Sequence, residues 1–171
     1  MKKLLFVFLL VAGATLSSFA QKSDPGKFSI GIEGGLPVGD ASNISSFTIG
    51  GSLKYEKPIA QKLAATVSAG YIYFPYKTDV QLDIAYLNPS NRGESFVPLK
   101  AGLKYWICSS FYAEGQVGAA ISVNGDGTSF AYSPGVGIKV SDNADIGVRY
   151  EGWTHNGSTL SQVALRIAYS F

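Results

Sequence analysis

Val97-Pro98-Leu99-Lys100-Ala101-Gly102-Leu103-Lys104-Tyr105 alternates without a break. Its odd positions hold Val, Leu, Ala, Leu and Tyr; its even positions hold Pro, Lys, Gly and Lys. A strand sends successive side chains to opposite faces, whereas a helix repeats near 3.6 residues, so this stretch is a strand with one apolar and one polar face. After a short break Phe111-Tyr112-Ala113-Glu114-Gly115-Gln116-Val117-Gly118 does the same, with Glu114 and Gln116 on the polar side.

Outward from this pair the pattern covers the chain. Eight segments share it, at about 27–36, 46–56, 63–74, 96–106, 111–123, 130–140, 144–153 and 161–171. Most are longer than the mean strand of about 5–6 residues and match the roughly 9–11 residues that a tilted strand needs to cross a bilayer. In every segment the apolar parity is free of charge. The charged residues Glu33, Lys54, Glu56, Lys100, Lys104, Glu114, Lys139, Asp145, Arg149, Glu151 and Arg166 all take the other parity, among Gly, Ala, Ser and Thr and a few larger residues such as Tyr112.

Composition agrees. Hydrophobic residues make up 46% of the chain and charged residues 15%, well below the roughly 25% charge of a soluble domain. The first residues differ in kind. Met1-Lys2-Lys3 is basic, Leu4 to Leu16 is apolar, and Ser18 and Ala20 stand where a signal peptidase reads small residues. Residues 1–20 are therefore expected to be a cleaved signal peptide, leaving 21–171 as one exported barrel domain. Cleavage takes Lys2 and Lys3 from the 14 Lys and Arg and leaves the 12 Asp and Glu, so the charges then balance. No basic excess remains to hold nucleic acid. Cys108 is the single cysteine, so no internal disulfide forms.

Two architectures fit eight long up-and-down strands. A soluble, lipocalin-like carrier puts the apolar face inside, around a ligand; an outer-membrane barrel puts it outside, against lipid. Three features choose the second. The polar face is too poor in charge for a solvent surface, and its small residues suit the narrow interior of an eight-stranded barrel. Aromatic residues end the apolar rows: Phe28, Tyr55, Tyr105, Phe111, Tyr169 and Phe171 at one edge, and Tyr71, Tyr73, Tyr132 and Tyr150 at the other. These form two girdles, at which a ring touches both lipid and water. Connections also alternate, short at 56–62, 107–110 and 141–143 and longer at 37–45 and 75–95, with 124–129 and 154–160 only modestly longer. With a periplasmic N-terminus the short turns are periplasmic.

The stretches around 97–105 and 111–118, with Gly135-Val136-Gly137-Ile138-Lys139-Val140 and Gly147-Val148-Arg149-Tyr150-Glu151, resemble the small outer-membrane β-barrel family common in Bacteroidota and, more loosely, the OmpA/OmpX-like eight-stranded barrels. The last segment, 162–171, resembles the C-terminal assembly signal of such barrels. That resemblance implies recognition by the barrel assembly machinery through Tyr169 and Phe171. No appended peptidoglycan-binding domain is evident, so that anchoring role does not transfer.

The expected protein is an all-β, monomeric, eight-stranded antiparallel transmembrane barrel in the outer membrane of a Gram-negative bacterium, in contact with its lipid. The inward charges are expected to pair and fill the lumen, with Glu114, Arg149, Glu151 and Arg166 at the centre and Lys54, Glu56, Lys100, Lys104, Lys139 and Asp145 nearer the periplasmic half. The role is expected to be structural or surface interaction through loops 37–45 and 75–95. Val80 to Leu87 keeps alternating and offers an edge for strand addition or a cover for the mouth. Three alternatives are a small-solute pore, a lipid A-modifying enzyme and the soluble carrier. For the enzyme, His155 and Ser158 with Glu151 are the candidate hydrolase triad, but Glu151 has lumen parity and His155 sits in a polar Asn-Gly turn. One His and one Cys give no metal site, and no cofactor is implied.

Overall fold

In the computed structural model residues 26–78, 92–123, 125 and 127–171 are described. The alternating segments become β1 (Lys27–Val38), β2 (Thr48–Ala60), β3 (Leu63–Pro75), β4 (Gly93–Trp106), β5 (Phe111–Ser122), β6 (Thr128–Lys139), β7 (Ala144–His155) and β8 (Ser158–Ser170). Each pairs antiparallel with its successor, and β8 pairs with β1 to close the barrel. The signal peptide expected at 1–20 and the 80–87 segment lie outside the described residues.

Register keeps the two parities apart around the whole circumference. Lys54, Ser68, Lys100 and Gly118 are successive partners on β2 to β5, one inward row. Leu53, Ala69, Leu99 and Ala119 form the outward row beside it. A slip of one residue would exchange the faces, so the pattern itself fixes the pairing. Outside lie Leu99 (45% exposed), Val117 (54%) and Leu165 (44%); inside lie Lys54, Lys100, Lys104 and Arg166, each 3–4% exposed. A wall whose large apolar side chains stay exposed from strand to strand is far larger than the apolar patches of soluble proteins. It matches the apolar band of a membrane barrel.

Proline and glycine set the irregularities. β3–β4 pairing skips from Ala69–Leu99 to Ile72–Phe96 beside Pro98, and β6–β7 pairing skips from Tyr132–Gly152 to Gly135–Arg149 beside Pro134. Each proline lacks the N–H that a central ladder needs. Pro58 accompanies a register shift near the end of β2.

Several connections differ from expectation. The stretch 154–160 is no loop: His155 pairs with Ser158, and Asn156 (φ 48°) with Gly157 (φ 85°) makes a two-residue turn. Positive φ at both positions suits the strand twist, and Asn-Gly supplies it at little cost. This connection is as tight as those at the opposite end, so connection length alternates less than expected. β2 runs to Ala60, leaving Gln61 and Lys62 as its turn. The 37–45 segment carries a one-turn helix, α1 (Ala41–Ile44), whose Ala41 is buried against the mouth.

One interior feature departs from the small-residue expectation. At the α1 end, Ile72, Phe74, Phe96 and Trp153 pack with Ala120, Ala131 and Leu160 inside the barrel. The three rings touch edgewise or tilted, with centroids 4.9–5.8 Å apart. The barrel therefore has an aromatic plug in its interior as well as an apolar exterior.

Candidate functional site: the barrel interior and its wall

Inward parity brings together side chains from neighbouring strands and from strands that share no hydrogen bonds. Lys100 on β4 reaches Glu151 on β7. Glu151 also accepts a hydrogen bond of 2.9 Å from Gln162 Nε2, and Arg149 Nε stands 2.9 Å from it without hydrogen-bond alignment. Arg149 continues to Glu33 through Nη2. Glu33 lies 3.6 Å from Arg166 Nε, and Arg166 Nη1 lies 4.0 Å from Asp145 Oδ1. Lys100, Glu151, Arg149, Glu33, Arg166 and Asp145 thus form a chain of alternating sign through the barrel. Serines and a tyrosine add hydrogen bonds to it, while Arg149 Nε and Arg166 Nη1 are left with ion-pair contacts alone. Arg166 donates to Ser52 Oγ (3.0 Å) and Ser29 Oγ (3.1 Å), Ser52 donates to Glu33, and Tyr112 Oη donates to Asp145 (2.7 Å).

Two further pairs lie toward the end with the β2–β3, β4–β5 and β6–β7 turns. Lys54 Nζ is 3.0 Å from Glu114, and Lys104 Nζ is 2.8 Å from Glu56. Lys104 also sits 4.0 Å from the Tyr112 ring centroid and 4.4 Å from that of Trp106. A cation over a ring face keeps attraction where water is excluded. Backbone space matters at one point: a Cβ on Gly31 would fall 2.7 Å from Arg166 Nε, so only glycine leaves the guanidinium its seat.

The placement differs from expectation in three respects. Lys139 is not part of the interior chain. It ends β6, and its amine turns to exposed Asp142 at 2.7 Å, because the rim offers hydration that the lumen does not. Lys100 stands at mid-strand and belongs to the central chain, whereas Glu114 pairs off with Lys54. Finally, β2 carries one outward charge beyond the segment expected from sequence: Lys57, opposite Ala65 on the membrane-facing side. Lys57 was readable by extending the parity of Tyr55 along β2.

All ten girdle aromatics take outward parity. Phe28, Tyr55, Tyr105, Phe111, Tyr169 and Phe171 lie toward the turn end, and Tyr71, Tyr73, Tyr132 and Tyr150 toward the α1 end. Two of the tyrosines are tethered to the wall, Tyr71 Oη donating to Ser95 Oγ (2.7 Å) and Tyr150 Oη to Ser161 Oγ (2.8 Å). The candidate triad does not assemble. Glu151 is buried on Lys100 and Gln162, while exposed His155 contacts the Thr128 carbonyl (3.0 Å) and Asn156. Cys108 is free and exposed in the β4–β5 turn.

Pockets lie at both ends of the interior, the smaller, of ≈ 220 Å³, at the α1 end between Ala41, Phe74, Phe96 and Leu160. A vestibule of ≈ 450 Å³ opens at the turn end, against Glu56, Lys104, Trp106 and Asp145. Beyond it come the paired charges, then the plug.

A closed eight-stranded barrel with a greasy outer wall and charges within is the fold of the outer-membrane β-barrels. Solved structures agree at the level of fold. The chain is similar to Ail, the attachment invasion locus protein of Yersinia pestis, in complex with the heparin analogue sucrose octasulfate, at 18% identity, TM-score 0.62, 88% of this chain and 100% of that one. It is similar to the N-terminal β-barrel domain of Pseudomonas aeruginosa OprF (12% identity, TM-score 0.57) and to Neisserial surface protein A (14%, TM-score 0.55), in each case over 88% of this chain and 100% of the other. No family model matches the chain, and no curated protein does.

Proposed function

We propose that this protein is a monomeric, integral outer-membrane barrel with a structural or surface-interaction role, held rigid by a lumen filled with paired charges. The observation that carries this reading is the stacking of the interior. Ten charged side chains in balanced pairs and, in series with them, a packed aromatic layer occupy the lumen. Such an interior suits a rigid scaffold better than a conduit, since eight strands leave room for side chains and little else. Contact with other molecules then falls to the connections 37–45 and 75–95, and insertion falls to the assembly machinery acting on Tyr169 and Phe171. Ail was solved with a sulfated heparin analogue. The described connections at the α1 end of this chain carry Lys77 and Arg92 beside Asp40, and Lys77 is bound to the Ser42 carbonyl at 2.6 Å. That is too little positive charge to favour a polyanion here.

Fractionation with gel migration before and after boiling, joined to planar-bilayer conductance, tests the proposal. Membrane recovery, heat-modifiable migration and no steady conductance are expected. A sustained conductance would instead support the pore, and recovery in the aqueous periplasm the soluble carrier.

A further inference from the structure

The outer wall is not uniform. A groove of ≈ 560 Å³ crosses its membrane-facing side over β2 to β5. Its shape follows from register. Ala69 lies between Leu53 and Leu99, and Ala101 between Val67 and Val117, so small residues lie at the bottom and branched ones stand at the sides. Toward the turn end the groove finishes on Phe28 and Tyr55, whose ring centroids are 4.7 Å apart.

Charge then appears where lipid would meet water. Lys57 follows Tyr55 by two residues on the same face of β2, about 7 Å further along. Exposed Lys62 lies in the adjoining turn. Glu56, between Lys57 and Tyr55, points inward and is engaged by Lys104. Among the described residues neither Lys57 nor Lys62 has an ion-pair partner. The other two connections at this end differ. The β4–β5 turn carries no charge, and the β6–β7 turn carries Asp142, matched by Lys139. The β2–β3 hairpin is thus the one turn at this end that presents uncompensated positive charge, and it is the one attached to the groove.

Resting on the membrane-spanning reading above, we infer that the groove, with Lys57 and Lys62, is a binding site for one anionic phospholipid of the turn-side leaflet. An acyl chain lies along Ala69 and Ala101, the glycerol region meets the Phe28–Tyr55 edge, and the negatively charged headgroup sits between the two ammonium groups. The long lysine stems lie along the wall and lift their charges to the interface. A zwitterionic lipid satisfies the groove but brings no net charge to the lysines, so headgroup charge is what the site distinguishes.

The test is native mass spectrometry of the refolded barrel released from mixed vesicles of phosphatidylglycerol and phosphatidylcholine. Wild type should retain phosphatidylglycerol preferentially, and each lysine removed should lower that preference about fivefold, the ratio that ~1 kcal/mol per basic residue near an anionic surface gives. K57Q/K62Q should hold the two lipids alike. Ala101→Phe, which fills the trough, should reduce retention of both. Lys139→Gln, at another turn, should leave the preference intact. Equal retention of the two lipids by wild type overturns the inference, as does a Lys139→Gln effect as large as that of K57Q/K62Q. A dimer that Ala101→Phe abolishes and phosphatidylglycerol does not displace overturns it in favour of a second copy. If only the lipid site is wrong, every variant still shows heat-modifiable migration; if the barrel reading is wrong, wild type lacks it.

Discussion

Lys100 and Glu151 meet inside the barrel although β4 and β7 are not neighbours, so the pair ties opposite walls together. Hydrogen-bonded register fixes each strand only to the next. A cross-lumen contact adds a restraint that no ladder supplies, and its cost is the desolvation of two ions.

Removing one partner should therefore be worse than removing a rim charge. Glu151→Gln leaves Lys100 buried without its anion and takes from Arg149 one of its two acidic neighbours. A loss of about 3–5 kcal/mol is expected, read from urea unfolding in lipid vesicles. Lys139→Gln breaks only the exposed pair with Asp142 and should cost roughly 0–1 kcal/mol. Similar losses for the two would mean that the interior pair contributes nothing beyond a surface one.

Depth along the wall sets the second expectation. Leu99 lies midway along β4, facing outward, whereas Val123 lies just beyond β5 at the α1 end. Arginine on the lipid face costs roughly 2–4 kcal/mol at the midplane and about 0–1 near the interface. Leu99→Arg should accordingly destabilise the vesicle-embedded barrel far more than Val123→Arg. Equal effects would deny the wall a hydrocarbon environment.

Trp153 gives the third. It is 2% exposed and packs on Phe74 and Phe96. Trp153→Ala should cost about 3–5 kcal/mol through the cavity it leaves. Conductance should stay closed, because the Lys100–Glu151–Arg149 layer remains beneath. A Trp153→Ala barrel that conducts while Glu151→Gln does not would put the permeability barrier in the plug alone.

These experiments address features of unequal legibility. The strand number, the closure and the two faces follow from parity, because a period of two is a local property that any run such as 97–105 displays. Parity also gives the inward direction of Lys100 and Glu151. It does not give their pairing, which depends on the shear of the barrel and on the reach of a lysine across it. The plug was obscured because residues 72, 74 and 153 sit among outward tyrosines and near a loop, where both parities are apolar and alternation loses its contrast. The Asn156-Gly157 turn was legible as a turn but not in its tightness, since Ser158 and Thr159 look equally at home in a loop or in a polar strand end.

Cys108 makes the orientation itself measurable. It is exposed in the β4–β5 turn, and backbone N–H groups of Ser110 and Phe111 directed at the sulfur hold its thiol below the ordinary value. A lowered thiol value raises the thiolate fraction at neutral pH, and the thiolate is the form that reacts. Labelling should therefore proceed readily near pH 7 once reagent can reach the turn. With the short turns periplasmic, a polymer-linked maleimide too large to pass porins should leave intact cells unlabelled and should label Cys108 after osmotic rupture of the outer membrane. The Cys108→Ser variant should stay unlabelled throughout, because the chain has no other cysteine. Labelling of intact cells would place the β4–β5 turn, and with it Lys57, Lys62 and the vestibule, at the cell surface. The Asn156-Gly157 turn and the plug would then face the periplasm.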